Sequence, residues 1–185
     1  MTHKSWVPIV AGLMIAGCSS ASDPSANPAD QAVSQSSLHF LKPDSGAPGF
    51  ISDTVQFYAV AGQDRSVSLY YADSTPFMTF DVGPKSLALS TGDSVLITVA
   101  IADSSELIVG FQPSGLTFVN GHPALLTLSF AHAKNGLSDS TESRLSLWRQ
   151  EQPGQQWHKV SSVPNPSMQT VTGKVGGFTV YATAY

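Results

Sequence analysis

From residue 50 onward, apolar and polar positions alternate with a period of two. Val55, Phe57 and Ala59 alternate with Gln56 and Tyr58, and Val67, Leu69 and Tyr71 alternate with Ser66, Ser68 and Tyr70. The cleanest run is Val95, Ile97, Val99 and Ile101; Leu107, Val109 and Phe111 continue the pattern, and Leu126, Leu128 and Phe130 repeat it. Apolar stretches at Phe77 to Val82, Leu145 to Trp148, Trp157 to Val160, Met168 to Val171 and Phe178 to Ala182 complete the set. A period of two turns every second side chain to the same face, which is the signature of a strand with one face on a core. Between the runs stand Gly62-Gln63-Asp64, Asp73-Ser74-Thr75-Pro76, Thr91-Gly92-Asp93, Asn135-Gly136, Pro153-Gly154 and Pro164-Asn165-Pro166, all turn-forming clusters. Short strands about every eight to twelve residues with turns between them predict an all-β fold, a single antiparallel β-sandwich. No longer window has a helical period. Gly173 and Gly176-Gly177 predict a tight turn and a bulge in a final hairpin.

The stretch from Phe111 to Phe130, FQPSGLTFVNGHPALLTLSF, sits at the centre of this pattern. Pro113-Ser114-Gly115 forms one breaker and Asn120-Gly121-His122-Pro123 another. Pro113 fixes φ and Gly115 accepts positive φ, so the chain can reverse there and send Phe111, Leu116 and Phe118 into one core. Pro123 can open the next strand, because no ladder donor is needed at its first position.

Composition narrows the class. Charged residues make up only 12% of the 185-residue chain, and the net charge is −4. Lys and Arg are scattered singly, so a nucleic-acid partner held by a basic surface is not expected. There is one cysteine, Cys18, which excludes an intramolecular disulfide.

The first residues read as a secretory leader. Lys4 gives the positive start, Val7 to Gly17 is an apolar run, and small residues Ala16 and Gly17 precede Cys18. The run is too short for a bilayer span, which needs ~20 residues. Ile15-Ala16-Gly17-Cys18 resembles a bacterial lipobox. The resemblance implies removal of residues 1–17, a thioether-linked diacylglycerol on Cys18 and acylation of the new amino terminus. Two or three acyl chains anchor stably where one binds only marginally. Ser19, where Asp would stand in lipoproteins kept at the inner membrane, implies the outer membrane of a Gram-negative envelope. Processing removes Lys4 from the nine Lys and Arg, leaving eight against thirteen acids and a net charge of −5. Residues 18–37 are poor in large apolar side chains and read as a lipidated cysteine followed by a disordered tether. The domain is then expected over 38–185.

The strings FQPSGLTF and PALLTLSF resemble the ZU-five domain of ankyrins and netrin receptors and its bacterial relatives, where an aromatic-x-Pro-Ser-Gly-Leu-x-Phe turn leads into a Pro-initiated strand. VGPKSLAL (residues 82–89), GDSVLITV (92–99), SLWRQEQPGQQWHKV and VTGKVGGFTVYA stand where that family carries its remaining turn and strands. The resemblance covers about residues 53–185; together with the lack of a nucleophile, base and orienter at recognisable spacing, the expectation is a non-enzymatic domain used for structure or protein interaction. The chain is also similar to single-domain bacterial lipoproteins that combine these pieces. Some wider relatives cut themselves at a His-Phe-Ser tripeptide; Gly177-Phe178-Thr179 stands in its place, and Gly177 supplies no base.

Candidate chemistry is sparse. His3, His39, His122, His132 and His158 show no metal-site spacing, and no carboxylate-rich calcium loop occurs, so neither metal nor cofactor is expected. Ser114 reads as a turn residue, and no Gly-x-Ser-x-Gly elbow is present. The aromatic residues Trp148, Trp157, Tyr70 and Tyr71 are the candidate ligand platform, for a glycan or an envelope protein. The sequence thus predicts a membrane-anchored envelope lipoprotein displaying a β-sandwich. A carbohydrate-binding module and an autoproteolytic or hydrolytic domain are the alternatives.

Overall fold

The computed structural model describes residues 32–134 and 136–185. The expected leader, Cys18 and the first part of the expected tether lie outside the described residues. The alternating runs form strands β1 (Ala32–Val33), β2 (Thr54–Val60), β3 (Arg65–Tyr70), β4 (Pro76–Val82), β5 (Ser94–Asp103) and β6 (Ile108–Gln112). They continue as β7 (Ala124–Ser129), β8 (Ser146–Gln150), β9 (Trp157–Lys159), β10 (Ser162–Asn165), β11 (Thr170–Val175) and β12 (Val180–Ala184). A short α-helix, α1 (Asp139–Glu142), interrupts the loop before β8; Ser138 caps it by accepting from the Thr141 N–H.

The strands make two antiparallel sheets, a 7-stranded one in the order β1-β9-β8-β12-β6-β5-β2 and a 5-stranded one in the order β10-β11-β7-β4-β3. The chain is an all-β sandwich. Its long β2–β5 ladder runs from Thr54↔Ala100 to Val60↔Ser94, which turns Phe57 and Ala59 inward with Ile97 and Val99. That is the register the alternation predicts.

The stretch Phe111 to Phe130 carries the chain from one sheet to the other. Phe111 ends in β6 of the larger sheet, and Leu126 and Leu128 lie in β7 of the smaller. Gly115 takes φ +80° between them. Phe111 and Phe118 are both buried, and Leu116 packs against the same core. Their rings close on Phe80 of β4 and on Phe178, with centroid separations of 4.7 Å for Phe80–Phe111, 6.2 Å for Phe80–Phe118 and 5.3 Å for Phe118–Phe178. Edge and tilted contacts of this kind add about 0.5–1.5 kcal/mol each beyond the buried area.

Three expectations change. Pro164 does not separate two strands; it lies within β10, paired with Val171 at the sheet's edge. An edge strand leaves one side of the backbone unpaired, so the missing N–H costs nothing there. Gly173 is not in a turn but in the middle of β11, paired with Ser162 and Leu126. A Cβ there would lie 2.8 Å from Leu147 Cδ1 and 2.9 Å from Ser162 Cβ, so the glycine serves close packing of β8 and β10 against β11. The last two strands are no hairpin: β11 and β12 belong to different sheets, and Gly176-Gly177 carry the crossing.

The segment before residue 38 is also structured where it is described. Ala32 and Val33 pair with His158 and Trp157 of β9, and a turn of 3-10 helix spans Gln35–Ser37. The sandwich therefore takes in residues from Ala32 instead of starting at Leu38. The reason lies in β12, which β6 pairs only at Val180 and Tyr181. The remainder of that side is taken by residues 39–41: the Leu41 N–H donates to the Thr183 carbonyl at 3.2 Å, and His39 and Tyr185 exchange backbone bonds of 3.2 and 3.3 Å. This strap covers the outer face of the larger sheet, where Val33, Leu38 and Phe40 close a second apolar cluster over Trp148, Trp157, Ala182 and Ala184. Phe40 meets the Trp157 ring edge-on at 4.9 Å.

Two substitutions test these assignments. Phe40→Ala is expected to cost ~2 kcal/mol, less than a fully buried phenylalanine, and to shift tryptophan emission to the red as Trp157 gains water. Gly173→Ala is expected to cost about 1–3 kcal/mol through overpacking. Urea unfolding midpoints measure both; unchanged midpoints would remove the strap and the close approach from the account.

Candidate functional site

The four aromatic residues expected to form a platform do not form one. Trp148 is 5% exposed, Trp157 1% and Tyr71 1%, while Tyr70 alone is open at 41%. The two tryptophans lie beneath the strap, and Tyr71 is stacked on Phe50 at 4.8 Å and edge-on to Phe77. Burial of these large apolar surfaces outweighs the loss of their polar contacts: the indole N–H groups of both tryptophans and the Tyr71 hydroxyl are buried without a hydrogen-bond partner among the described residues.

Beside Trp148 the surface opens into a groove of about 510 Å³, walled by the strap on one side and by Arg144 and Lys159 on the other. The Lys159 ammonium stands 5.9 Å from the centre of the Trp148 ring, within cation–π range. His39 and Tyr185 stack at the lip, 5.2 Å apart and 22° from parallel. Lys159 also lines a second groove of about 420 Å³, where the sheets diverge, together with Arg149 and Lys174. Among the described residues Glu151 is the only acidic side chain lining either groove, and it pairs with Arg149. Two grooves joined at one lysine and walled by cations suit an anionic ligand. Sequence reading missed this grouping because the four residues are far apart or singly placed along the chain. Strand pairing assembles them: Trp148 is registered with Lys159, and the Lys174 N–H donates to the Ser161 carbonyl.

A second cluster lies at the other border. His132 Nε2 is 2.9 Å from Asp73 Oδ2, although the direction of its N–H falls outside hydrogen-bond geometry. The Tyr71 ring meets His132 edge-on at 4.7 Å. Burial pushes the Tyr71 hydroxyl well above its ordinary range, helped by the carboxylates of Asp44 and Asp73. Asp73 is held below its ordinary value of 3.8, first by the Thr75 backbone N–H at 2.9 Å and more weakly by His132. Among the described residues no hydrogen bond joins His132 to a Ser or Thr hydroxyl.

Thr179, which stands at the self-cleavage position, is buried, and its hydroxyl donates to the Gln150 carbonyl. The Gly177 carbonyl accepts from the Tyr181 hydroxyl at 2.6 Å, and a Cβ at Gly177 would sit 3.0 Å from the Leu116 carbonyl oxygen. A histidine base is crowded out at that position. Ser114 is exposed, and its N–H donates to Gln112 Oε1 within the turn; His122 is exposed in the next turn. Among the described residues no group of three or more His, Cys, Asp or Glu is placed to hold a metal ion.

Compared with known proteins, the chain matches no family model and no curated protein.

The sign of the Asp73 effect is testable. A carboxylate whose folded value is depressed contributes stability that is present above its unfolded value and lost as pH falls through the folded one. Asp73→Asn is therefore expected to lower the urea midpoint at neutral pH, with the difference from the parent closing as pH drops below 3.8. A difference that persists unchanged at the acid end would assign the effect to something other than the charge.

Proposed function

We propose that this chain is a lipid-anchored envelope protein that holds a β-sandwich at a membrane surface for a structural or interaction role, without chemistry of its own. The observation that carries the reading is Ile15-Ala16-Gly17-Cys18, placed directly after a positive start and an apolar run. In this reading the leader is cleaved before Cys18, which carries diacylglycerol and an acylated amino terminus, and Ser19 directs the product to the outer membrane. The reading of the domain as ZU-five-like rests on the turn from Phe111 to Phe118, whose two rings close one core.

The carbohydrate-binding alternative loses its aromatic platform with the burial of Trp148 and Trp157. The hydrolytic alternative would have to draw on His132 and Asp73.

Cys18→Ser tests the anchor. The variant is expected to keep its leader and to leave the membrane fraction in a detergent phase partition, while the parent stays with the detergent. Identical processing and partitioning of the two would reject the lipid.

A further inference from the structure

The cations of the two grooves and the entry of the chain into the sandwich lie along the same border. We propose that this border is a docking surface for anionic lipid headgroups, which lays the β9 side of the larger sheet against the membrane that holds the chain. The proposal rests on the anchor at Cys18 for its geometry and on the placement of charge for its chemistry.

A mature chain of net charge −5 would be repelled by an anionic bilayer if its charges were evenly spread. They are not. Arg144, Arg149, Lys159 and Lys174 are half of the Lys and Arg that follow the leader, and all four line the joined grooves. Only Arg149 has an ion-pair partner among the described residues, leaving Arg144, Lys159 and Lys174 available to phosphate. Basic side chains attract anionic headgroups only within about a Debye length, ~8 Å at physiological ionic strength, so such a cluster acts when it is turned to the surface.

The anchor keeps that border near the surface. Cys18 precedes Ala32 by fourteen residues, which even fully extended reach about 50 Å. Ala32 and Val33 then pair with β9 itself, and Val33, Ser37, Leu38 and His39 form one wall of the first groove. The connection from the lipid thus enters at the cationic border and keeps headgroups at high effective concentration beside it. Tyr185, partly exposed against His39 at the groove's lip, has the apolar body and polar tip that settle at a headgroup boundary.

Amine-acylation footprinting of the full lipidated chain in vesicles tests this. Lys159 and Lys174 are expected to be labelled severalfold less in vesicles of phosphatidylcholine with phosphatidylglycerol than in phosphatidylcholine alone, and the protection should vanish at high salt. Exposed Lys42, Lys85 and Lys134 line neither groove and should label equally in both. Arg144→Glu combined with Arg149→Glu should abolish the protection of Lys159 while leaving the chain in the vesicle. Equal labelling of Lys159 and Lys174 in the two vesicle types overturns the proposal. Protection of the same lysines by inorganic phosphate without vesicles, with none added by anionic lipid, assigns the grooves to a free anion and also overturns it. Intact mass separates the two readings. If Cys18 is unmodified the anchor fails, and the same contrast with the unanchored full chain, mixed with each vesicle at low salt, decides the docking surface by itself.

Discussion

The sandwich is held closed by the packing of Phe80 against Phe111, Phe118 and Phe178. Phe80 comes from the smaller sheet, Phe111 from the larger, and Phe118 and Phe178 from two of the crossings between them. The chain has one cysteine, Cys18, so no disulfide can link the sheets. Burial must supply what a disulfide would. Truncating one fully buried phenylalanine costs about 3–5 kcal/mol, a large part of the ~5–15 kcal/mol by which a domain is stable. The crossings can meet at this point because Gly115 turns the chain after β6 and Gly177 lets it pass the Leu116 carbonyl. The same crowding at Gly177, with the Thr179 hydroxyl donated to Gln150, gives these residues a packing role.

Much of this fold is legible in the sequence because a period of two states directly which side chains face a core. Phe57, Ile97, Val99, Val109, Phe111, Leu126 and Leu128 are all buried as the alternation implies. What alternation does not state is what covers the other face of a sheet. Trp148 and Trp157 look like candidates for exposure until the strap is seen over them. The strap itself hides among polar residues, since Val33, Leu38 and Phe40 are too widely spaced to form a local pattern. They fold because a preformed sheet offers an open side of β12 and an apolar patch, which offset the entropy of ordering a short segment. Gly173 misleads for a related reason: a glycine that admits a neighbouring strand looks the same in sequence as one that makes a turn.

The candidate site was less legible than the fold. Four single cations become a group only when β8, β9 and β11 converge, and that convergence depends on long-range pairing. Cys18 stands at the other extreme: the lipidation proposed for it rests on the residues just before it. The strap connects the two. It is simultaneously a wall of the first groove, the lid over the tryptophans and the link toward Cys18, so the proposed docking surface depends on whether the strap is an integral part of the sandwich.

Native-state hydrogen exchange measures that property directly. The Leu41 amide, bonded to Thr183, and the Tyr185 amide, bonded to His39, should exchange with the protection of the central β5 amides, through global unfolding. Exchange of both at the rate of a free peptide while β5 stays protected would detach the strap from the sandwich and contradict the account.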